Sequence, residues 1–232
     1  MNFQEGEVLL VDKPYGWTSF DVVNKIRWNL KRALKLKKIK VGHAGTLDPL
    51  ATGLLIICTG KRTKNVEAYM AEEKTYTGTF LLGKTTPSFD LETPYNSEYP
   101  ISHITPEQIQ KVAGSFIGEQ TQVAPVYSAK QIGGKRAYLF AREGKEVQIK
   151  SHVITISSFT VKADRFPEID FEISCSKGTY IRTIAQDFGV QLNSGATLIA
   201  LRRTRSGQFS VDQAKPVEEW IKSINPNDAQ AL

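Results

Sequence analysis

The stretch VGHAGTLDPLATGLLIIC, residues 41–58, sets the tightest limit on what this chain can fold into. It ends in the longest apolar run of the sequence, Leu54-Leu55-Ile56-Ile57-Cys58. Five residues are far too few to cross a bilayer. An unbroken run of that length, entered from a glycine-rich loop, reads as a buried strand. Around it, strand-like and helix-like patterns succeed one another without a regular βαβ rhythm, so the expected class is α+β.

Strands are expected at 7–11, 74–82, 153–161, 169–175, 198–201 and 209–211. Val22, Val23, Ile26, Leu30 and Ala33 recur at helical spacing behind Thr18-x-x-Asp21, a weakened capping box. Further helices are predicted over 63–71, after Thr105-Pro106, over 181–188 with Gly189 as the stop, and after Pro216. GKTTPSFDLETPYNSEYP reads as a long loop. A chain of 232 residues suits one domain, 1–232, and the glycine-rich texture after Gln120 suggests an insertion over 118–150.

The charge is concentrated. Lys+Arg 30 against Asp+Glu 24 gives +6, and KRALKLKKIK, residues 31–40, holds six of those cations and no acid. Without it the chain is neutral. A local basic stripe of this kind is the footprint of a polyanion partner, although a solvated helix end has the same composition. Cys58 and Cys175 are the only cysteines and read as buried free thiols. His43, His103 and His152 lack metal-ligand spacing, so no metal is expected. MNFQEGEVLLVDKP lacks the pattern of a signal peptide, and a cytoplasmic location is expected with no membrane partner.

Three stretches could carry chemistry. TGKRTK is not one of them: six residues separate Gly53 from Gly60 and Arg62 comes after Lys61, which fails the phosphate-loop pattern. In the opening loop, Asp48 is the only acid between Asp21 and Glu67. With Pro49 next to it, Asp48 fits either a helix N-cap or a catalytic carboxylate, and local sequence leaves both open. CSKGTYIRTIAQDFG places Tyr180 and Arg182 at a strand-to-helix change, where an arginine can keep a carboxylate ionised or meet a phosphate. LRRTRSG offers Arg202, Arg203 and Arg205 as phosphate contacts. Tyr76 is either a core residue or a platform on which a base stacks.

LLVDKPYGWTSFDVV, KVGHAGTLDPLATGLLII, KTYTGTFLLG, APVYSAKQIGGKRAYLFAREG, CSKGTYIRTIAQDFG and LRRTRSGQF occur in the order seen in the TruB family of bacterial tRNA pseudouridine synthases, which the chain resembles from about Val8 to Trp220. The resemblance implies the pseudouridine-synthase fold, a mixed and largely antiparallel sheet flanked by helices with an inserted RNA-contacting subdomain. It implies isomerisation of uridine-55 in the tRNA T-loop, without a cofactor. Asp48 matches the catalytic aspartate, Tyr76 the aromatic that stacks on the target uracil, and Arg182 the arginine that pairs with the aspartate. Tyr180 and Leu201 match residues of the uracil pocket. His43 resembles the histidine that fills the space of the flipped nucleotide, and Lys13 the supportive lysine of the first motif. Lys31, Arg32, Lys35, Lys37, Lys38 and Lys40, with the three arginines of LRRTRSG, are expected on the RNA backbone.

The chain departs from the family pattern at Ala124 before Pro125 and at Thr197 after Ala196. Many members carry a C-terminal RNA-binding (PUA) domain; none is expected here, the sequence ending at Leu232. The implied partner is the T-arm stem-loop of tRNA, the protein acting as a monomer without an obligate protein partner. The competing readings are an RNA-folding factor that opens the tRNA elbow and an RNA-guided synthase. The resemblance leaves attack by the aspartate at C1′ or at C6 equally open.

Overall fold

The structure is a computed structural model that describes residues 1–128, 131–132, 134–137, 140 and 149–224. In chain order the strands are β1 (Val8–Lys13), β2 (Val41–His43), β3 (Ala51–Thr59), β4 (Lys74–Leu82), β5 (Lys84–Thr85), β6 (Ser97–Glu98), β7 (Gly118–Gln122), β8 (Gln131–Ile132), β9 (Lys135–Arg136), β10 (His152–Arg165), β11 (Glu168–Cys175), β12 (Ala196–Ser206), β13 (Phe209–Ser210) and β14 (Lys215–Pro216). The helices are α1 (Ser19–Ala33), α2 (Val66–Ala71), α3 (Pro106–Ser115), α4 (Ile181–Gln191) and α5 (Val217–Ile224). Two compact units divide the chain, Met1–Tyr76 with Leu201–Leu232, and Thr77–Ala200.

In the first unit β3 is the central strand. It pairs antiparallel with β1 along one edge; along the other it pairs antiparallel with β2 at residues 57–59 and parallel with β12 at residues 51–53. Successive side chains of a strand point to opposite faces. Leu55 and Ile57 therefore enter a core with Val22, Val23, Ile26, Leu30, Val217 and Trp220, from α1 and α5. Leu54, Ile56 and Cys58 enter a second cluster with Ala44, packed against Val66, Tyr69 and Phe209. Burial on both faces is why the run does not alternate. The capping box holds: the Thr18 hydroxyl accepts from Asp21 N–H while the Asp21 carboxylate accepts from Thr18 N–H.

The second unit is built on β4, β11, β10 and β7 in that order, with β10 antiparallel to both β11 and β7. Phe80 stacks on Phe171 at 4.2 Å between ring centres, and Phe116, Phe159 and Phe188 surround them. α3 begins as expected, with Thr105 capping and Pro106 in the first turn.

Three expectations are corrected. Gly189 does not end α4. The helix runs to Gln191 and closes through Asn193, which takes φ 52°, while Ser194 N–H donates to Gly189 O and Asn193 N–H to Val190 O. This is a Schellman closure with asparagine in the left-handed position. Gly189 instead admits close packing, since a Cβ there would lie 2.3 Å from Ala196 N. Residues 60–65 form a 3-10 turn ahead of α2, so the expected helix over 63–71 is shorter. LRRTRSG is not a gap between two strands: its arginines lie within β12. Residues 118–122, where the expected insertion starts, form β7 and pair with β10 from His152 to Ile156. Of the remainder of 118–150, residues 129–130, 133, 138–139 and 141–148 lie outside the described residues.

Candidate active site

Asp48 sits half-buried in the loop that joins β2 to β3. The N-cap reading requires a helix after Pro49. The chain instead makes a turn there, closed by Ala51 N–H donating to Asp48 O at 3.1 Å, and enters β3. Asp48 has no helix to cap.

The loop is tied down on both sides of Asp48. Leu47 N–H donates to the Ser19 hydroxyl at 2.8 Å, and that hydroxyl donates to Leu47 O at 3.1 Å. Pro49 O accepts from Gly16 N–H at 2.8 Å and from Lys13 Nζ at 3.3 Å. The Lys13 ammonium also donates to Trp17 O and Pro14 O, at 2.6 and 3.0 Å. Lys13 is 0% exposed, and burial pushes its pKa down from 10.5 to about 8 against the opposing pull of the Asp48 carboxylate. The chain thus keeps a cation in its interior beside the candidate nucleophile.

A second buried cation braces the same loop. Arg203 is 1% exposed. Its Nε donates to Leu54 O at 2.7 Å and its Nη2 to Gly45 O at 3.1 Å, so one guanidinium spans both ends of the loop. Gly53 takes φ 102°, and a Cβ there would come within 2.3 Å of Arg203 O; only glycine admits that approach. The expectation that Arg203 meets the RNA backbone is corrected, because a buried guanidinium bonded to two carbonyls is not presented to a phosphate. Arg202 is half-buried and makes two hydrogen bonds to Asp12, at 3.0 and 2.7 Å. Of the three arginines only Arg205 is exposed.

Leu201 lies half-buried on β12 opposite Ala51, two residues before Arg203. His43 ends β2; burial, and then the Arg203 charge, push its imidazole below the ordinary value, so it is neutral at pH 7. Tyr76 is buried on β4. Lys31, Arg32, Lys35, Lys37, Lys38 and Lys40 are all exposed, at the end of α1 and beyond it.

Arg182 and Tyr180 belong to the second unit. Arg182, in the first turn of α4, is 3% exposed and donates to Tyr127 O at 2.8 Å. Its Nε lies 3.6 Å from the buried carboxylate of Asp90. Tyr180 precedes the helix, and its backbone is clamped by Gln122, which accepts from Tyr180 N–H at 2.8 Å and donates to Tyr180 O at 3.2 Å. Ser19, Asp90 and Gln122 were not anticipated. Only Asp90 carried a signal, as an acid between Phe89 and Leu91 in a polar loop.

Residues 31–181 match the model of a family described as TruB family pseudouridylate synthase, N-terminal domain. Three relatives named tRNA pseudouridine synthase B are similar over nearly the whole chain. One from Phocaeicola vulgatus is 52% identical over 224 residues, covering 95% of each chain. One from Parabacteroides distasonis is 50% identical, covering 98% of this chain and 97% of its own. One from Chlorobium chlorochromatii is 43% identical, covering 96% and 87%. Among solved structures, a Cbf5-Nop10-Gar1 complex aligns with TM-score 0.73 and 26% identity, over 99% of this chain and 57% of that one. An H/ACA RNP bound to a substrate RNA containing 2′-deoxyuridine aligns with TM-score 0.70 and 25% identity, over 99% and 56%.

Proposed function

The chain belongs to the TruB family of pseudouridylate synthases, and on that premise we propose that it isomerises uridine-55 in the T-loop of tRNA to pseudouridine. The base leaves C1′ through N1 and returns through C5, so the reaction consumes no donor or acceptor. The target base must first be extruded from its stack. Asp48 is the nucleophile, Tyr76 holds the uracil while it turns, and Arg182 takes the family's role of keeping the catalytic carboxylate ionised. His43, neutral and half-buried, supports the opened loop; Tyr180 and Leu201 line the uracil pocket. Lys13 supports the loop from within rather than touching RNA. The exposed cations from Lys31 to Lys40, with Arg205, meet the RNA backbone. The protein acts as a cytoplasmic monomer on the T-arm.

The observation that carries this reading is the carboxylate of Asp48, which has no helix to cap and is flanked by bonded loop residues and two buried cations. A structural carboxylate does not need such a mount, and a nucleophile does. Asp48→Asn tests it: pseudouridine formation on a T-arm stem-loop is expected to fall at least about 10³-fold, with RNA affinity nearly unchanged. Full turnover by the variant overturns the assignment. Tight binding by the wild type without any pseudouridine favours the RNA-folding reading instead. Tyr76→Ala is expected to slow turnover on the order of 10²-fold, since stacking is worth ~1–3 kcal/mol per base; a normal rate returns Tyr76 to the core.

A further inference from the structure

The outer face of α1 carries large rings that the core does not use. Phe20 is 59% exposed and Trp28 57%, and Tyr15, just before the helix, is 60% exposed. The inward face, Val22, Val23, Ile26 and Leu30, is buried. Phe20, Arg27, Trp28 and Lys31 succeed one another at spacings of seven, one and three, which places them on one side of the helix. Phe20 and Trp28 thus leave large ring area on one helix face that the core does not use.

Two features say what the face takes. The first is charge: residues 19–40 hold eight Lys or Arg against one acid, Asp21, and that acid is already engaged by Thr18 as the helix cap. The two rings on α1 also have a guanidinium over them, Arg27 at 5.8 Å from the Phe20 ring centre and Arg32 at 5.5 Å from that of Trp28. Arg27 is held there by bonds to Asn24 Oδ1 and Val41 O. Rings paired with cations present a stacking surface and a phosphate partner together. A protein partner would have to neutralise all this charge.

The second feature is continuity with the candidate active site. The N-terminus of α1 is bonded to the Asp48 loop through Ser19 and Leu47, and Gly16 to Pro49. The face therefore starts beside Asp48 and runs about 22 Å along the helix axis. It then meets the exposed Lys35 to Lys40.

We propose that this face is an RNA-binding track for unpaired nucleotides flanking the target uridine, with bases stacked on Phe20 and Trp28 and phosphates on Lys31, Arg32 and Lys35. The proposal rests on the RNA-modifying activity inferred above. It goes beyond a basic stripe in requiring aromatic contacts that salt does not screen.

The test is fluorescence anisotropy with a labelled T-arm stem-loop, titrated over a range of salt. Phe20→Ala/Trp28→Ala is expected to weaken binding about tenfold or more, leaving the slope of log K against log salt unchanged. Trp28→Phe, which keeps a ring, retains most of the affinity. Lys31→Gln/Arg32→Gln/Lys35→Gln is expected to lower the slope by about 2, at about 0.7 per phosphate on a single strand. Wild-type affinity in the double alanine variant overturns the track. So does wild-type self-association that Trp28→Ala abolishes without any change in RNA affinity, which makes the face a protein interface. If the wild type binds the stem-loop but forms no pseudouridine, the activity reading fails, and the binding comparison still decides the track by itself.

Discussion

Lys13 and Arg203 can be set against the stripe from Lys31 to Lys40. Both are clusters of positive charge near the same loop, and composition alone does not separate them. In the stripe all six cations are exposed. Lys13 and Arg203 are buried, and between them they donate to five backbone carbonyls. A cation whose donors are satisfied inside the protein fixes geometry, whereas one in water attracts a polyanion over a distance set by salt. Position in the fold, not residue type, decides which work each does.

Removing a buried cation should have the largest effect. Arg203→Met strands the carbonyls of Leu54, buried, and Gly45, half-buried, and is expected to destabilise the protein by about 2–4 kcal/mol, measured by denaturant unfolding, with the salt slope of RNA binding unchanged. Unaltered stability with a slope lower by about 0.7 would put Arg203 among the RNA contacts and break the comparison. Next comes a paired exchange. Arg182→Lys keeps the charge but loses the planar fork, and is expected to cut turnover at least about tenfold; Arg32→Lys in the stripe should be nearly silent in the same assay. Equal effects would mean that burial does not separate the two classes.

Lys37→Gln/Lys38→Gln/Lys40→Gln is expected to leave stability within about 0.5 kcal/mol and to weaken RNA binding progressively as salt falls. The smallest effect is in pH. Lys13 has a folded pKa of about 8 against 10.5 ordinarily, so the folded protein sheds this proton before the unfolded chain does. Between those values the unfolded state binds more protons, and this group alone makes stability rise with pH. Over the same range the ammonium that holds Pro49 O is lost, so turnover should fall above about pH 8. Lys13→Arg, which stays charged, should remove that limb of the pH–rate profile; an unchanged profile would assign the limb elsewhere.

The features legible in the sequence were local ones. The Thr18 and Thr105 caps each depend on a few neighbouring residues, and both helices begin where those signals stand. The strands expected at 153–161 and 169–175 were equally readable and lie within β10 and β11, because alternation survives wherever one face is wet. The family motifs around Asp48 likewise marked the candidate site before any fold was drawn. Asparagine in place of glycine after α4 was missed because both residues tolerate the left-handed conformation and only the closing hydrogen bonds distinguish them.

By itself, then, the sequence determined the class, the family and the capped starts of α1 and α3, and it marked Asp48 as the candidate carboxylate. Tertiary structure decided that Asp48 precedes a strand rather than a helix, that Lys13 and Arg203 face inward, and that Phe20 and Trp28 face out. The reason is physical: caps and periodicity act over a few residues, while burial is set by strands about 150 residues apart in the chain that meet side by side, as Gly53 and Arg203 do.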